Sequence, residues 1–289
     1  MNILFWLISA LFASLWSSHR KKAINNSKLS NSLYILLWPL SGLFIVWTLI
    51  YFSGINTWIF SDYKTLWLIS IIILINWLAN FLEMNVLKKT KLSEILPYTN
   101  LDKLVIVLVW FFLFFGTNNS TSVSTLIITM FTIFVITLFS VDFKNFKIPK
   151  TIVSYSAVMI LRGISTLIIA YIFLVYTSLD YLSINLFLSL LLYIIVAIIL
   201  KDSFKSFVTQ SKQFYISRWI SLILWWAWFI IWLYIIKNSW VLIATLISFV
   251  WLIFNIIAMK FILKDTPDKK QIILAFIVTI LIWIWYYLK

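Results

Sequence analysis

Residues 1–18 read MNILFWLISALFASLWSS, an apolar stretch without a charged side chain. The chain returns to predominantly apolar runs nine more times, with short polar breaks between them. Each run is long enough, or nearly so, to cross a bilayer as a helix at about 1.5 Å per residue. The runs predict ten transmembrane helices, at about residues 2–18, 31–53, 65–87, 95–116, 122–141, 151–177, 183–200, 214–236, 239–263 and 271–288.

The overall composition agrees with these runs. Hydrophobic residues make up 63% of the 289 residues and charged residues only 11%, whereas a soluble domain carries about 25% charged residues. We therefore expect an all-α polytopic membrane protein, embedded in the cell membrane as a multi-pass chain.

Several kinds of site are excluded or disfavoured by residues that the chain lacks. It has no cysteine, and His19 is its one histidine. Disulfides and thiolate metal sites are therefore excluded, and we expect no metal and no cofactor. We find no Asp-rich diphosphate motif, P-loop, Gly-x-Ser-x-Gly or His-Glu-x-x-His. These absences argue against an enzyme.

The basic residues alternate between loops. The formal charge is +14, but the positive side chains flank membrane spans, where they set topology and meet anionic lipids rather than nucleic acid. The odd-numbered loops hold Arg20, Lys21, Lys22, Lys28, Lys88, Lys89, Lys91, Lys144, Lys147, Lys150, Lys201, Lys205, Lys212, Lys264, Lys269 and Lys270. The even-numbered loops hold Lys64 and Lys237. Because basic loops stay in the cytoplasm, we expect both termini outside. We also expect no cleavable signal peptide, since no basic residue precedes the first span and no clear small-residue cleavage site follows it.

The two halves of the chain have the same hydropathy profile. A shift of 146 positions brings Leu92–Phe139 onto Asn238–Trp285 without gaps. This predicts two five-helix repeats, residues 1–146 and 147–289. Five spans is an odd number, so the second repeat must be inverted relative to the first. Inverted repeats are typical of secondary transporters, whose substrate site lies between the halves.

The ends of the two halves also carry a family resemblance. They read LKKTKLSEILPYTNLDKLVIVLVWFFLFFGTNNSTSVSTLIITMFTIFVITLF (87–139) and IIKNSWVLIATLISFVWLIFNIIAMKFILKDTPDKKQIILAFIVTILIWIWYYL (235–288). This helix, polar break, helix pattern in a chain of ten short-looped spans resembles the drug/metabolite transporter superfamily, specifically EamA-like permeases. The resemblance implies a secondary transporter that moves a small metabolite across the membrane by alternating access.

The third span carries three polar residues on one helix face. Asn76, Asn80 and Glu83 lie at i, i+4 and i+7, and polar groups in the hydrocarbon usually face the bundle interior. They either line a substrate path or form hydrogen bonds between helices. Glu83 is a candidate proton-coupling site, unless it is solvated near the basic third loop.

Arg162 is the most informative single residue, because it lies near the middle of the sixth span. An arginine keeps its charge and needs a partner there. It either forms a permanent ion pair with Glu83 or Asp102, or receives an anionic group of the substrate. Tyr155 lies seven residues before Arg162, on the same face of the helix. Asp102 is a second proton-coupling candidate if the fourth span begins near Ile95, and an interfacial residue if it begins at Leu101.

Two further faces are candidates for the substrate site. Thr245, Ser248 and Asn255 share a face of the ninth span, either as contacts between helices or as cavity lining. On the eighth span a face of tryptophans either packs against lipid and core or binds an aromatic or cationic group; its members are Trp225, Trp228 and Trp232.

Three functions remain open from the sequence. The first is an EamA-like secondary transporter of a small molecule. The second is a lipid-directed membrane enzyme or lipid flippase, with basic loops that recruit anionic headgroups. The third is a scaffold protein. A transporter predicts a wet central cavity with convergent polar groups, a lipid enzyme predicts polar groups open sideways to one leaflet, and a scaffold predicts a filled interior. The sequence specifies neither the oligomeric state nor the substrate.

Overall fold

The structure is a computed structural model, and it describes most of the chain in separate segments. These are residues 3–53, 57–95, 98, 101–102, 105–106, 109, 127, 130–132, 134–135, 150–238, 250–265, 268–270, 272–273, 276–277, 280–281 and 284. The described segments are helical and contain no β-strand.

Eight α-helices are defined in these segments. They are α1 (Ile3–Asn25), α2 (Asn31–Ser53), α3 (Tyr63–Lys89), α4 (Leu92–Ile95), α5 (Lys150–Ile172), α6 (Ser178–Ile199), α7 (Lys212–Asn238) and α8 (Val250–Ala258). A π-helical turn, Met259–Leu263, continues α8, and short 3₁₀ turns cover Thr57–Phe60 and Phe204–Phe207. All but α4 lie on apolar runs that the sequence marked as spans.

Among the described residues, four helical segments are long and apolar enough to cross a membrane: Tyr63–Lys89, Val153–Ile172, Ser178–Ile199 and Lys212–Tyr234. The all-α class is therefore confirmed, and these four helices support a protein embedded in a membrane. Much of the fourth, fifth, ninth and tenth spans falls outside the described residues. The count of ten spans, the repeat boundaries 1–146 and 147–289 and the inversion stay predictions.

Local signals in the sequence explain where two of these helices begin. Asp62 precedes α3 and accepts hydrogen bonds from the Thr65 backbone N–H (3.1 Å) and the Thr65 hydroxyl (2.7 Å). Thr177 and Asp180 form a capping box at the start of α6. Because such residues satisfy backbone N–H groups that the first helical turn leaves unpaired, they set the start of each helix.

The main helix contacts join the two halves of the chain. α1 packs against α7 and α8, α2 packs against α6, and α3 packs against α5. At one end of the bundle, here called the basic end, α1 ends, α2 begins and α3 ends; Lys21 Nζ donates there to the Leu87 and Thr90 carbonyls. At the opposite end α3 begins and α5 ends, and the Tyr176 hydroxyl donates to Asp62 Oδ2 at 2.9 Å.

The boundary of the first span is the clearest difference from the sequence prediction. The sequence predicts Arg20 and Lys21 in a loop after a span at 2–18, but α1 continues to Asn25 and both residues are only 7% exposed. The helix continues because buried partners compensate the two charges: Glu83 for Arg20 and carbonyl groups for Lys21.

Candidate functional site

A cavity of about 290 Å³ lies between the two halves. Side chains from α1, α2, α3, α5, α6, α7 and α8 line it, and so does the described part of the fourth span. The lining contains nine of the candidate residues that the sequence indicates: Asn76, Asn80, Glu83, Asp102, Tyr155, Arg162, Trp225, Trp228 and Asn255. The structure thus brings residues from five spans to one place. Their roles in binding and proton coupling stay predictions.

Glu83 is at the centre of a charged cluster in this cavity. Its Oε2 lies 2.6 Å from Arg20 Nη1 and 2.6 Å from Arg162 Nη2, and the latter also donates to Asn80 Oδ1 at 3.2 Å. Glu83 is 4% exposed, so it is not solvated at the third loop. The ion pair between Arg162 and Glu83 is present, as one of the two alternatives for Arg162 predicted. A carboxylate shared by two guanidinium groups gives the cluster a positive excess.

A third arginine lies near this cluster. Arg218 of α7 is 7% exposed, and it donates to the Tyr34 hydroxyl at 3.2 Å and to the Tyr34 carbonyl at 3.3 Å. Its guanidinium carbon also sits 4.2 Å from the centre of the Tyr34 ring. The hydroxyl of Tyr34 in turn donates to the Arg20 carbonyl at 3.5 Å. Arg218 therefore has neutral partners where Arg20 and Arg162 have a carboxylate.

Stacked aromatic rings form another wall of the cavity. Trp16 of α1 stacks on Trp228 of α7, with ring centroids 5.5 Å apart and planes 5° apart. Trp225 stacks on Phe229 with centroids 4.3 Å apart, and Trp228 lies 5.9 Å from Trp232. These rings pack against each other and also face the cavity, so the two alternatives for the tryptophan face are compatible.

A row of polar side chains on α6 lines a further side of the cavity. Asn185 Nδ2 donates to the Tyr181 hydroxyl at 2.7 Å, and the Ser189 hydroxyl donates to Asn185 Oδ1 at 3.2 Å. All three side chains are at most 3% exposed. The spacing of four residues places them on one helix face.

Asn255 both joins helices and lines the cavity. Its Oδ1 accepts a hydrogen bond from the Ser17 hydroxyl of α1 at 2.7 Å, and it is 1% exposed. Thr245 and Ser248, its predicted companions, lie outside the described residues. Asp102 is half-buried in the cavity lining, in a segment that is helical at residues 101–102.

Sequence reasoning missed several residues of the site. Arg20 was assigned to a loop, and Arg218, Tyr34 and Asn185 were not singled out. Arg218 carries a usable signal, because it stands inside a predicted span, where polar residues turn inward. Asn185, Tyr34 and Arg20 give no such signal, since they lie at span ends, where polar groups are ordinary.

Within the described residues no group of three or more His, Asp or Glu side chains is arranged to hold a metal ion. The cluster of arginines around Glu83 is suited to an anion, not to a metal cation.

The comparisons with known proteins show the fold only. No protein-family model matches the chain, and no curated protein matches it. Among solved structures 24 chains match. One is described only as a crystal structure of a protein; it superimposes with a TM-score of 0.68 at 13% sequence identity, over 96% of this chain and 96% of that chain. An experimentally determined fold is thus similar to this one along nearly its whole length.

Proposed function

We propose that the chain is a secondary transporter that moves a small molecule across the cell membrane by alternating access. The observation that carries the proposal is the cavity between the halves, where buried polar side chains from both halves converge. Polar groups are costly in a membrane interior and usually mark a substrate or ion path. A scaffold would fill this space with apolar packing.

The helix boundaries support the inverted five-plus-five architecture of EamA-like permeases. Moved by 146 positions, α1 covers 149–171 and α2 covers 177–199, each within one residue of α5 and α6 at both ends. Moved likewise, α3 covers 209–235, within three residues of α7. Helices of equal length at equal spacing are what two repeats of one unit would produce.

The packing of the helices supports the same symmetry. Exchanging the repeats turns the α1–α7 contact into the α5–α3 contact and leaves the α2–α6 contact unchanged, and all three contacts are present. The exchange also pairs Ser17 with Gly163. Ser17 contacts Asn255, and a Cβ at Gly163 would touch the Asp102 carbonyl oxygen and Val105. Each position therefore faces the corresponding span of the other repeat.

Polar contacts between the halves at both ends of the bundle are candidate gates. At the basic end the Lys28 backbone N–H donates to Gln210 Oε1 (2.9 Å), the Ser93 hydroxyl donates to Asp265 Oδ2 (2.9 Å) and Ser32 contacts Asp202. At the opposite end Tyr176 contacts Asp62, and Lys64 Nζ donates to the Tyr171 hydroxyl at 3.0 Å. Alternating access requires that these two sets break in turn.

Thiol labelling tests this proposal without knowledge of the substrate, because the chain contains no native cysteine. Ser165 is 3% exposed and lines the cavity. We expect a membrane-impermeant maleimide to label Ser165→Cys from both sides of the membrane, in right-side-out and in inside-out vesicles. A matched control is Ile69→Cys, which is fully buried but absent from the cavity lining and should stay unlabelled.

Locking either end with a reversible thiol cross-linker sharpens the test. A cross-link between Ser32→Cys and Asp202→Cys should stop labelling of Ser165→Cys from the basic end only, and one between Asp62→Cys and Tyr176→Cys from the opposite end only. A cross-link between Asn31→Cys and Asn85→Cys, which joins two contacting residues of the same half, should change neither. Labelling from neither side would favour a scaffold, and labelling by a lipid-soluble maleimide alone would favour the lipid enzyme or flippase.

A further inference from the structure

We propose that the cavity binds a small organic monoanion with a flat aromatic group, the anionic group at Arg162 and the ring against Trp225 and Trp228. The inference deepens the proposed function and rests on it, because it names the substrate class of the same cavity. The positive charge of the lining argues against the aromatic cations that a face of tryptophans alone would suggest.

The balance of charge in the lining is the first argument. Among the described lining residues three are arginines and two are carboxylates: Arg20, Arg162, Arg218, Glu83 and Asp102. With both carboxylates ionised the cavity carries a single positive charge in excess. An uncompensated charge in a membrane interior is costly, and a bound monoanion would neutralise it.

Arg162 is the arginine best placed to receive that anion. Its side chain is 27% exposed, compared with 8% for Arg20, so it has surface to offer to the cavity. Its Nη2 donates to Glu83 and Asn80, and within the described residues its Nε and Nη1 donate to no protein acceptor. A guanidinium group with spare donors can bind a carboxylate through charged hydrogen bonds.

Four other polar atoms of the lining residues are buried without a partner in the part of the chain that the structure describes. The N–H groups of Arg218 Nε, Trp38 Nε1 and Trp251 Nε1 are donors, and the Tyr193 hydroxyl can donate or accept. This surplus of donors matches a ligand rich in acceptor oxygens better than an ammonium ion, which would add further donors.

The aromatic wall provides the contact for the apolar part of the ligand. Trp225 and Trp228 are only partly buried and line the cavity, so their rings offer surface for stacking. Two neighbouring rings already make cation–π contacts with arginines. The Arg20 guanidinium lies 5.3 Å from the Trp16 ring centroid, and the Arg218 guanidinium lies 4.2 Å from the Tyr34 ring centroid. A cationic ligand would be repelled by these groups.

The volume of the cavity favours a small soluble acid. About 290 Å³ is at the lower end of the range for ligand pockets, roughly 300–1,000 Å³. An anionic phospholipid also joins an acidic group to an apolar body, so it could supply the same anion. The experiments below distinguish a lipid from a soluble acid.

Binding of a matched set of probes to the purified full-length protein tests the inference. By isothermal calorimetry we expect indole-3-acetate to bind and the neutral indole-3-acetamide to bind at least about tenfold more weakly, because it cannot form the charged hydrogen bonds. The cation tryptamine and the ring-free anion acetate should not bind measurably. Tryptamine binding as tightly as indole-3-acetate would overturn the inference.

Variants locate the two parts of the ligand. Arg162→Gln should lose at least about tenfold in affinity for indole-3-acetate and gain nothing for the amide. Lys150→Gln, at an exposed site on the same helix, should leave both affinities unchanged.

Trp225→Leu should weaken binding of indole-3-acetate, whereas Trp219→Leu, at a 59% exposed position on the same helix as Trp225, should not. If Arg162→Gln fails to fold, Arg162→Lys tests the same contact with the charge retained. If neither the Arg162 variants nor Trp225→Leu changes the affinity for indole-3-acetate, the assignment of the ligand to this cavity is wrong.

Nanodiscs and proteoliposomes separate the remaining outcomes. If phosphatidylglycerol, but not phosphatidylcholine, displaces indole-3-acetate and stabilises the protein in an Arg162-dependent manner, the anion is a lipid and the small-acid assignment is wrong. Binding of indole-3-acetate without uptake into proteoliposomes would contradict the transport function and leave the ligand class standing. Uptake of tryptamine in preference to the acid would keep transport and overturn the ligand class.

Discussion

Arg162 Nη2 lies 2.6 Å from Glu83 Oε2, the same oxygen that accepts from Arg20 at 2.6 Å. Arg162 belongs to α5 in the second half of the chain, and Glu83 belongs to α3 in the first. One carboxylate therefore ties three helices together and holds both halves at the cavity. Because two cations depend on one anion, Glu83 is the residue whose loss the cluster tolerates least.

We expect Glu83→Gln to destabilise the protein strongly. The substitution leaves the buried Arg20 and the partly buried Arg162 without the carboxylate that they share, and a buried ion pair that loses one partner costs about 3–5 kcal/mol. Thermal unfolding of the detergent-solubilised protein measures the change. Glu94→Gln, at an exposed position of α4, is the control; an equal effect of the two substitutions would contradict a structural role for the cluster.

Gly42→Ala tests the close approach of α2 and α7. A Cβ at Gly42 would overlap the Trp226 ring and lie 2.8 Å from Leu186 Cδ2, and the Trp226 N–H donates to the Ser41 hydroxyl at 3.1 Å. Overpacking of this kind costs about 1–3 kcal/mol, so we expect a lower melting temperature. The double variant Gly42→Ala with Trp226→Phe should recover part of the loss, and purely additive effects would be evidence against the contact.

The contact of Asp62 predicts a pH dependence at the opposite end. Hydrogen bonds from the Thr65 hydroxyl, the Thr65 backbone N–H and the Tyr176 hydroxyl hold the pKa of Asp62 below its usual value. A lowered pKa in the folded state means that the ionised carboxylate stabilises the fold above the unfolded-state pKa, and that this contribution is lost as the pH falls through the folded-state pKa.

We therefore expect Asp62→Asn to be less stable than the wild type at pH 7. The difference should shrink below pH of about 4, near the ordinary pKa of aspartate, as the wild-type carboxyl takes up its proton. Unfolding temperatures from pH 7 down to pH 3 measure it, with the exposed neighbour Ser61→Ala as control. A constant difference over that range would show that the charge of Asp62 is unimportant.

The alternation of basic loops predicts the orientation of the chain. Thr209 and Ser61 are exposed, at the basic end and the opposite end of the bundle respectively. An impermeant maleimide should label Thr209→Cys in inside-out vesicles only and Ser61→Cys in right-side-out vesicles only, since basic loops remain in the cytoplasm. The reversed pattern would place both termini inside.

The polar residues inside apolar runs were the most reliable sequence signal for the site. Asn76, Asn80 and Arg162 could be identified without a structure, because a polar group in hydrocarbon is costly and turns toward the interior of the bundle. Their convergence with Asn255 and Trp228 on one cavity could not be identified in this way, since those residues stand on helices far apart in the chain.

The sequence by itself determined the class of the protein. Apolar runs of membrane length make their own backbone hydrogen bonds as helices, so composition and run length suffice to predict an all-α membrane chain. Only the tertiary structure decided which charges meet: Arg20, assigned to a loop, is buried against Glu83, and Arg218 rests on Tyr34. The physical reason is that a charge near a helix end can remain in water or enter the bundle, and the partner that it finds on another helix decides between the two.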